Sequence, residues 1–179
     1  MKFLFRLLLI LLATFFINCN RTPSLTKDKI YNKTSDLRKD EVYEILNEII
    51  ADDSLTLYTV CSHLDNLSDS DDYGFNNQNK KFIERQNEIF KGFQFESNKL
   101  KFYSRKKKGF DFIYIDTSCK KGVVNGLSFP LISTDRQRVV LKITEDCHCG
   151  LGGQGGIFLY LKQNGHWKRG KSFDHWASY

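Results

Sequence analysis

The sequence predicts an α+β domain in which N-terminal helices pack on one face of a single antiparallel β-meander sheet. Three observations predict it. Apolar residues recur with helical spacing in the first half of the chain, alternate with other residues in the second half, and an Asn-Gly pair joins the last two alternating runs. Runs of helix followed by runs of strand, not helix and strand in alternation, indicate segregated layers.

The first helix is expected over residues 37–51, with Asp36 as its N-cap. Val42, Ile45, Leu46 and Ile49 follow the i, i+3, i+4, i+7 pattern, and Glu41, Glu44 and Glu48 fall outside that stripe. The acidic outer face favours packing on a core over lying in a membrane interface, where the polar face is usually basic. Residues 55–61, LTLYTVC, are rich in β-formers and predict a strand. Residues 65–80 are polar and predict a loop. A second helix fits 81–92, where Phe82, Ile83, Gln86, Ile89 and Phe90 cluster on one side and Gly92 ends it.

From Leu100 the period is two. Leu100 and Phe102 alternate with Lys99 and Lys101. Phe110, Phe112 and Tyr114 alternate with Asp111, Ile113 and Ile115, which predicts a strand covered on both faces. Ser133-Thr134-Asp135 marks a turn before a strand over 138–145, and residues 157–162 form another strand. Asn164-Gly165 then predicts a type I′ hairpin, whose two central residues both need positive φ. No internal repeat is visible.

Composition bounds the rest. With 179 residues, 41% hydrophobic and 14% aromatic, the chain has material for one core and is the length of one domain. Two Pro exclude a Pro-rich linker protein, and five Cys are too few for a dense disulfide scaffold. Residues 1–18, MKFLFRLLLILLATFFIN, carry Lys2 and Arg6 ahead of an apolar run from Leu7 to Ile17, the n- and h-regions of an export signal. Cys19 closes that run. The segment resembles a bacterial lipoprotein signal, and the resemblance implies that Cys19 becomes the lipidated first residue of the mature chain. Asn18 and Phe16 stand where such signals usually carry a small and an aliphatic residue. Residues 19–35 are polar and read as a tether, leaving 36–179 as a single α+β domain. The formal charge of +6 loses two cations with the signal. That balance and an exported location argue against a nucleic-acid partner.

Four cysteines remain: Cys61, Cys119, Cys147 and Cys149. In an oxidising compartment an even number predicts disulfides, with three possible pairings. Free thiols are one rival. A zinc site using Cys61 and His63 with Cys147, His148 or Cys149 is another, although the spacing matches no known zinc module. The expectation is no metal. Gly150, Gly152 and Gly155 match G-x-G-x-x-G by letter, but a strand follows where dinucleotide binding needs a helix, and no Lys-Ser/Thr completes a P-loop. The segment reads as a glycine-rich connection between strands. The run Asp65 to Gly74 fails as a calcium loop at Tyr73 and Lys80. No cofactor is expected.

For nucleophilic catalysis, Cys61 with His63, Cys147 with His148, and Asp174 with His175 offer the atoms. Neighbours on a strand point to opposite faces, so no catalytic residue is assigned. Arg105-Lys106-Lys107-Lys108 follows Phe102-Tyr103 and reads as a solvated turn, with anionic headgroups or a nucleic-acid surface as rival partners. Trp167 and Trp176 are candidate anchors of a binding surface, against the alternative that both cover the open end of the sheet.

Residues 129–178 combine a Phe-Pro entry, a valine-rich strand, a Cys/Gly segment, an Asn-Gly-x-Trp hairpin and a closing Trp-x-Ser. This pattern resembles the C-terminal region of small uncharacterised lipoproteins from Bacteroidota. The resemblance implies a lipoprotein of the cell envelope, membrane-anchored and facing the periplasm or cell surface, and carries over no catalytic residue. The expected role is a non-enzymatic binding domain for an envelope protein or glycan. An envelope hydrolase or thiol enzyme using Cys147-His148-Cys149, and a purely structural lipoprotein, are the alternatives.

Overall fold

The computed structural model describes residues 35–65, 67, 72–104, 106–120, 122–147 and 152–177. The chain divides into two units, Met1–Asn32 and Lys33–Tyr179. The first lies outside the described residues, and with it the expected signal and Cys19. No helix among the described residues is long and apolar enough to cross a membrane.

Among its described residues the second unit has two helices, α1 (Lys39–Asp52) and α2 (Asn77–Ile89), and nine strands. These are β1 (Thr59–Cys61), β2 (Lys101–Ser104), β3 (Gly109–Phe112), β4 (Tyr114–Asp116), β5 (Val124–Leu127), β6 (Leu131–Ile132), β7 (Arg138–Asp146), β8 (Gly153–Gln163) and β9 (His166–Ala177). Seven strands form one sheet in the order β4-β1-β5-β7-β8-β9, with β6 also paired to β7, and β2–β3 form a separate ribbon.

This corrects the expected fold class. The α+β arrangement with N-terminal helices on one face of a single antiparallel meander does not form. β1 pairs in parallel with both β4 and β5, so the main sheet is mixed, and strand outweighs helix. Parallel pairing needs a long connection. The segment between β1 and β4, containing α2 and the ribbon, supplies one.

The helices do not share one face either. One apolar cluster gathers Val42, Ile45, Leu46 and Ile49 of α1 with Val139, Leu141, Phe158 and Tyr160 of the sheet. A second gathers Ile83 of α2 with Tyr73, Phe75, Leu131, Val140 and Leu159. Val139 and Val140, or Phe158 and Leu159, are consecutive and therefore point to opposite faces, so β7 and β8 are covered on both sides. Phe82 of α2 and its C-cap Phe90 pack against the first cluster while Ile83 belongs to the second.

Both helix starts move. Arg38, not Asp36, is the N-cap of α1. Asp36 instead accepts from Arg85 (2.6 Å) and Gln86 (3.1 Å), tying the entry of α1 to α2. α2 begins four residues early because Asn76 caps it, its side chain accepting from the Asn79 N–H. The expected strand over 110–115 breaks at Ile113, between β3 in the ribbon and β4 in the main sheet. Ile113 and Ile115 are buried, and Phe110 and Phe112 face solvent, so that segment is not covered on both faces. The Asn-Gly hairpin forms as expected: Asn164 and Gly165 have φ of 53° and 82°, and Gln163 pairs with His166.

Two acids of α1 and its C-cap, Asp53, hold this hairpin. Glu48 accepts from Trp167 Nε1 (3.0 Å) and Lys162 Nζ (2.8 Å). Asp52 accepts from the Trp167 N–H (2.7 Å) and faces His166 Nδ1 (3.1 Å). Asp53 accepts from Tyr160 Oη (2.8 Å) and Arg169 Nε (2.8 Å). Acids at a helix C-terminus oppose its dipole, and here Lys162 and Arg169 neutralise them.

Candidate functional site

Asn125 on β5 pairs with Glu145 on β7, which pairs with Gln154 on β8. The three form a polar row on one face of the sheet. Two residues along, the same face carries Leu127 and Ile143, which belong to the cluster beneath α1. Where the helical layer ends, at Leu55–Leu57, this face stays open as a cleft of about 310 Å³. Leu57, Ile143 and Phe158 give it an apolar floor; Asn125, Glu145, Gln154, Arg169 and His175 give it polar groups. An apolar hollow with a few convergent polar groups is the usual form of a small-ligand site.

The sequence builds this opening with glycine. The Gly-rich stretch was expected to be a connection, but Gly153 to Gly156 are strand residues of β8. A Cβ on Gly156 would lie 2.6 Å from Phe158 Cζ and 2.8 Å from the Asp174 carbonyl oxygen. One on Gly155 would lie 2.9 Å from Thr144 Cγ2 and 3.1 Å from Trp176 Cε2. Glycine here is a demand for close approach of rings to backbone.

Arg169 is fixed before any ligand arrives. Its guanidinium lies 4.3 Å from the Phe158 ring centroid and is paired with Asp53. Tyr160 shares Asp53, and burial first, then the Asp53 charge, push its phenol well above the ordinary tyrosine value. The phenol therefore stays protonated and donates to Asp53. Asn125 donates through Nδ2 to the Thr59 carbonyl (3.0 Å), which fixes the orientation of its amide.

The cysteines resolve in part. Cys61 and Cys119 form a disulfide with Cα atoms 5.2 Å apart, joining the end of β1 to the loop after β4. Cys147 is also held in a disulfide. His148 and Cys149 lie outside the described residues. His63 Nδ1 sits 3.7 Å from Cys119 Sγ and 3.3 Å from Ser62 Oγ. Ligand atoms of Cys61, His63 and Cys119 all lie within 4.8 Å of one another. With the two sulfurs bonded together there is no thiolate to offer a cation, so this cluster is a disulfide with a histidine beside it.

The two tryptophans separate. Trp167 is 2% exposed, with its indole N–H on Glu48, and is part of the core. Trp176 is 39% exposed, its ring over Gly155. Of the candidate histidines, His175 lines the cleft and His63 sits by the disulfide. Sequence reasoning missed Asn125, Glu145 and Gln154. The available signal was a polar residue at matching positions of three strands, and it becomes readable only once the strands are in register. No family model matches the chain, and no curated protein or solved structure is found similar to it.

Proposed function

We propose that the chain is a membrane-anchored lipoprotein of the bacterial cell envelope whose Lys33–Tyr179 unit is a non-enzymatic binding domain. The anchor rests on the apolar opening segment closed by Cys19 and on the resemblance to Bacteroidota lipoproteins. The Cys61–Cys119 disulfide supports an oxidising compartment. The observation that carries the binding reading is the cleft at the uncovered end of the sheet. Its volume suits a sugar ring or one protruding side chain, with Glu145 and Gln154 as hydrogen-bonding groups and Phe158 as an apolar floor. The thiol-enzyme alternative has less support, because a disulfide occupies Cys147 and leaves it no thiolate.

The test fills the cleft from its exposed rim. Immobilised Lys33–Tyr179 is incubated with solubilised envelope extract and, separately, with glycan-strand fragments. The expected result is specific retention of one partner or glycan by the wild type and at least a tenfold loss in Gln154→Trp, with an unchanged melting temperature. Equal retention by both proteins refutes the cleft as the binding site.

A further inference from the structure

Among the described residues eight large hydrophobic side chains are exposed, and five of them lie in one neighbourhood: Tyr58, Tyr103, Phe110, Phe112 and Tyr114. The register explains why most of them share a face. Tyr103 stands opposite Phe110, and Lys101 opposite Phe112, on the outer side of the β2–β3 ribbon. The Tyr103 and Phe110 rings meet edge to face at 5.7 Å, and Lys101 Nζ lies 5.4 Å from the Phe112 centroid. Tyr114 continues the same alternation. Phe102 and Ile113, with the opposite parity, are buried. The ribbon thus buries Phe102 on its inner face, opposite Asp111, and is aromatic on its outer face, where a solvated strand normally carries polar residues.

The turn joining the two strands is basic. Lys106, Lys107 and Lys108 are exposed; Lys107 pairs with Asp111, while Lys106 and Lys108 have no ion pair among the described residues. Aromatic rings flanked by lysines on a projecting ribbon are suited to a boundary that is apolar on one side and anionic on the other.

We infer that the outer face of the β2–β3 ribbon docks onto an anionic lipid surface, with Phe110, Phe112 and Tyr103 entering the headgroup region and Lys101, Lys106 and Lys108 meeting lipid phosphates. Charge complementarity selects this partner, and the outward phenylalanines give the lysines an apolar companion that a merely solvated basic turn lacks. The choice of lipid rests on the envelope location proposed above. An anchored chain would need only weak intrinsic docking, since tethering raises the local lipid concentration.

The test uses Lys33–Tyr179, which contains both described apolar clusters, every described strand and the Cys61–Cys119 disulfide, and so carries its own folding information. It also lacks Cys19, so the outcome is independent of lipidation. Co-sedimentation is measured with vesicles of phosphatidylglycerol and phosphatidylethanolamine and with phosphatidylcholine alone. Expected are binding to the anionic vesicles only, weakening with salt, and at least a tenfold loss for the double variant Phe110→Ser, Phe112→Ser. Lys106→Glu with Lys108→Glu should lose the preference for anionic lipid, and all variants should keep the wild-type melting temperature because the altered side chains face solvent. Failure of the wild type to bind anionic vesicles overturns the inference. So does full binding by the phenylalanine variant, or binding to a single-stranded oligonucleotide in place of vesicles. A failure here leaves the cleft reading untouched, because that reading is tested by retention of a different ligand.

Discussion

Arg136 enters the core with each of its nitrogens engaged: Nε on Glu41 (3.0 Å), Nη1 on the Thr134 carbonyl (2.6 Å) and Nη2 on the Ser35 carbonyl (2.7 Å). Its guanidinium also lies 5.0 Å from the Phe82 centroid. Both partners of the ion pair are buried, so water does not compensate for the loss of either. Removing one partner of such a pair typically costs about 3–5 kcal/mol, because the other charge is left buried and alone, whereas replacing both by apolar residues is often near neutral. Glu41→Ala is therefore expected to lower stability by about 3–5 kcal/mol in urea unfolding. Glu41→Leu with Arg136→Met should recover much of that loss. A cost below about 1 kcal/mol for Glu41→Ala would mean that solvent reaches Arg136 in its place. The sequence did not announce this pair. Glu41 sits outside the apolar stripe of α1, and a stripe reports periodicity, not the buried arginine 95 residues away that draws an acid inward.

At the scale of elements, what could be read depended on how local the cause was. The Asn164-Gly165 hairpin was legible because its two positive φ values are demanded by the turn itself. α1 was legible because its own spacing makes the apolar face. The direction of β1 was not, because its partners, β4 and β5, are supplied by distant stretches of chain, and a strand's composition does not name its neighbour. The break at Ile113 was hidden by an alternation that runs unbroken through β3 and β4, even as the chain leaves one sheet for another. In the candidate site the sequence named His175 only as half of an Asp174–His175 acid and base pair, while the row Asn125–Glu145–Gln154 exists only in register. β1 and β4 are three residues each, too short to hold together by ladder bonds alone. The disulfide stands at that junction, since Cys61 pairs with Asp116 in the ladder and Cys119 follows three residues later. It closes a separation of 58 residues, for which the chain-entropy account gives about 4 kcal/mol. The double variant Cys61→Ser, Cys119→Ser is accordingly expected to lose about 2–4 kcal/mol in denaturant unfolding, with the fastest hydrogen exchange gained in β1 and β4. Unchanged stability would show that β1 is held by its apolar residues alone, through Val60 in the core.

At the scale of the whole molecule, the described apolar clusters and the proposed anchor belong to different stretches of the sequence. Among the described residues, β7 and β8 are covered on both faces by apolar clusters of the Lys33–Tyr179 unit. Location and stability should therefore separate cleanly under mutation. The two proposed membrane contacts also differ in kind. Burying acyl chains gains about 0.8 kcal/mol per CH₂ and is insensitive to salt, so two or three chains on Cys19 would hold firmly. Lysines against headgroups act through a field that salt screens within about 10 Å at 0.1 M. Cys19→Ser is expected to remove the first contact and leave the second. In cell fractionation the variant should remain partly with membranes at low ionic strength and come off in a high-salt wash, while the wild type survives the same wash and the melting temperatures agree. Adding Phe110→Ser and Phe112→Ser to Cys19→Ser should free the protein even at low salt. Retention of Cys19→Ser through the high-salt wash would refute lipidation at Cys19 as the anchor, since an uncleaved apolar segment would then be holding the chain.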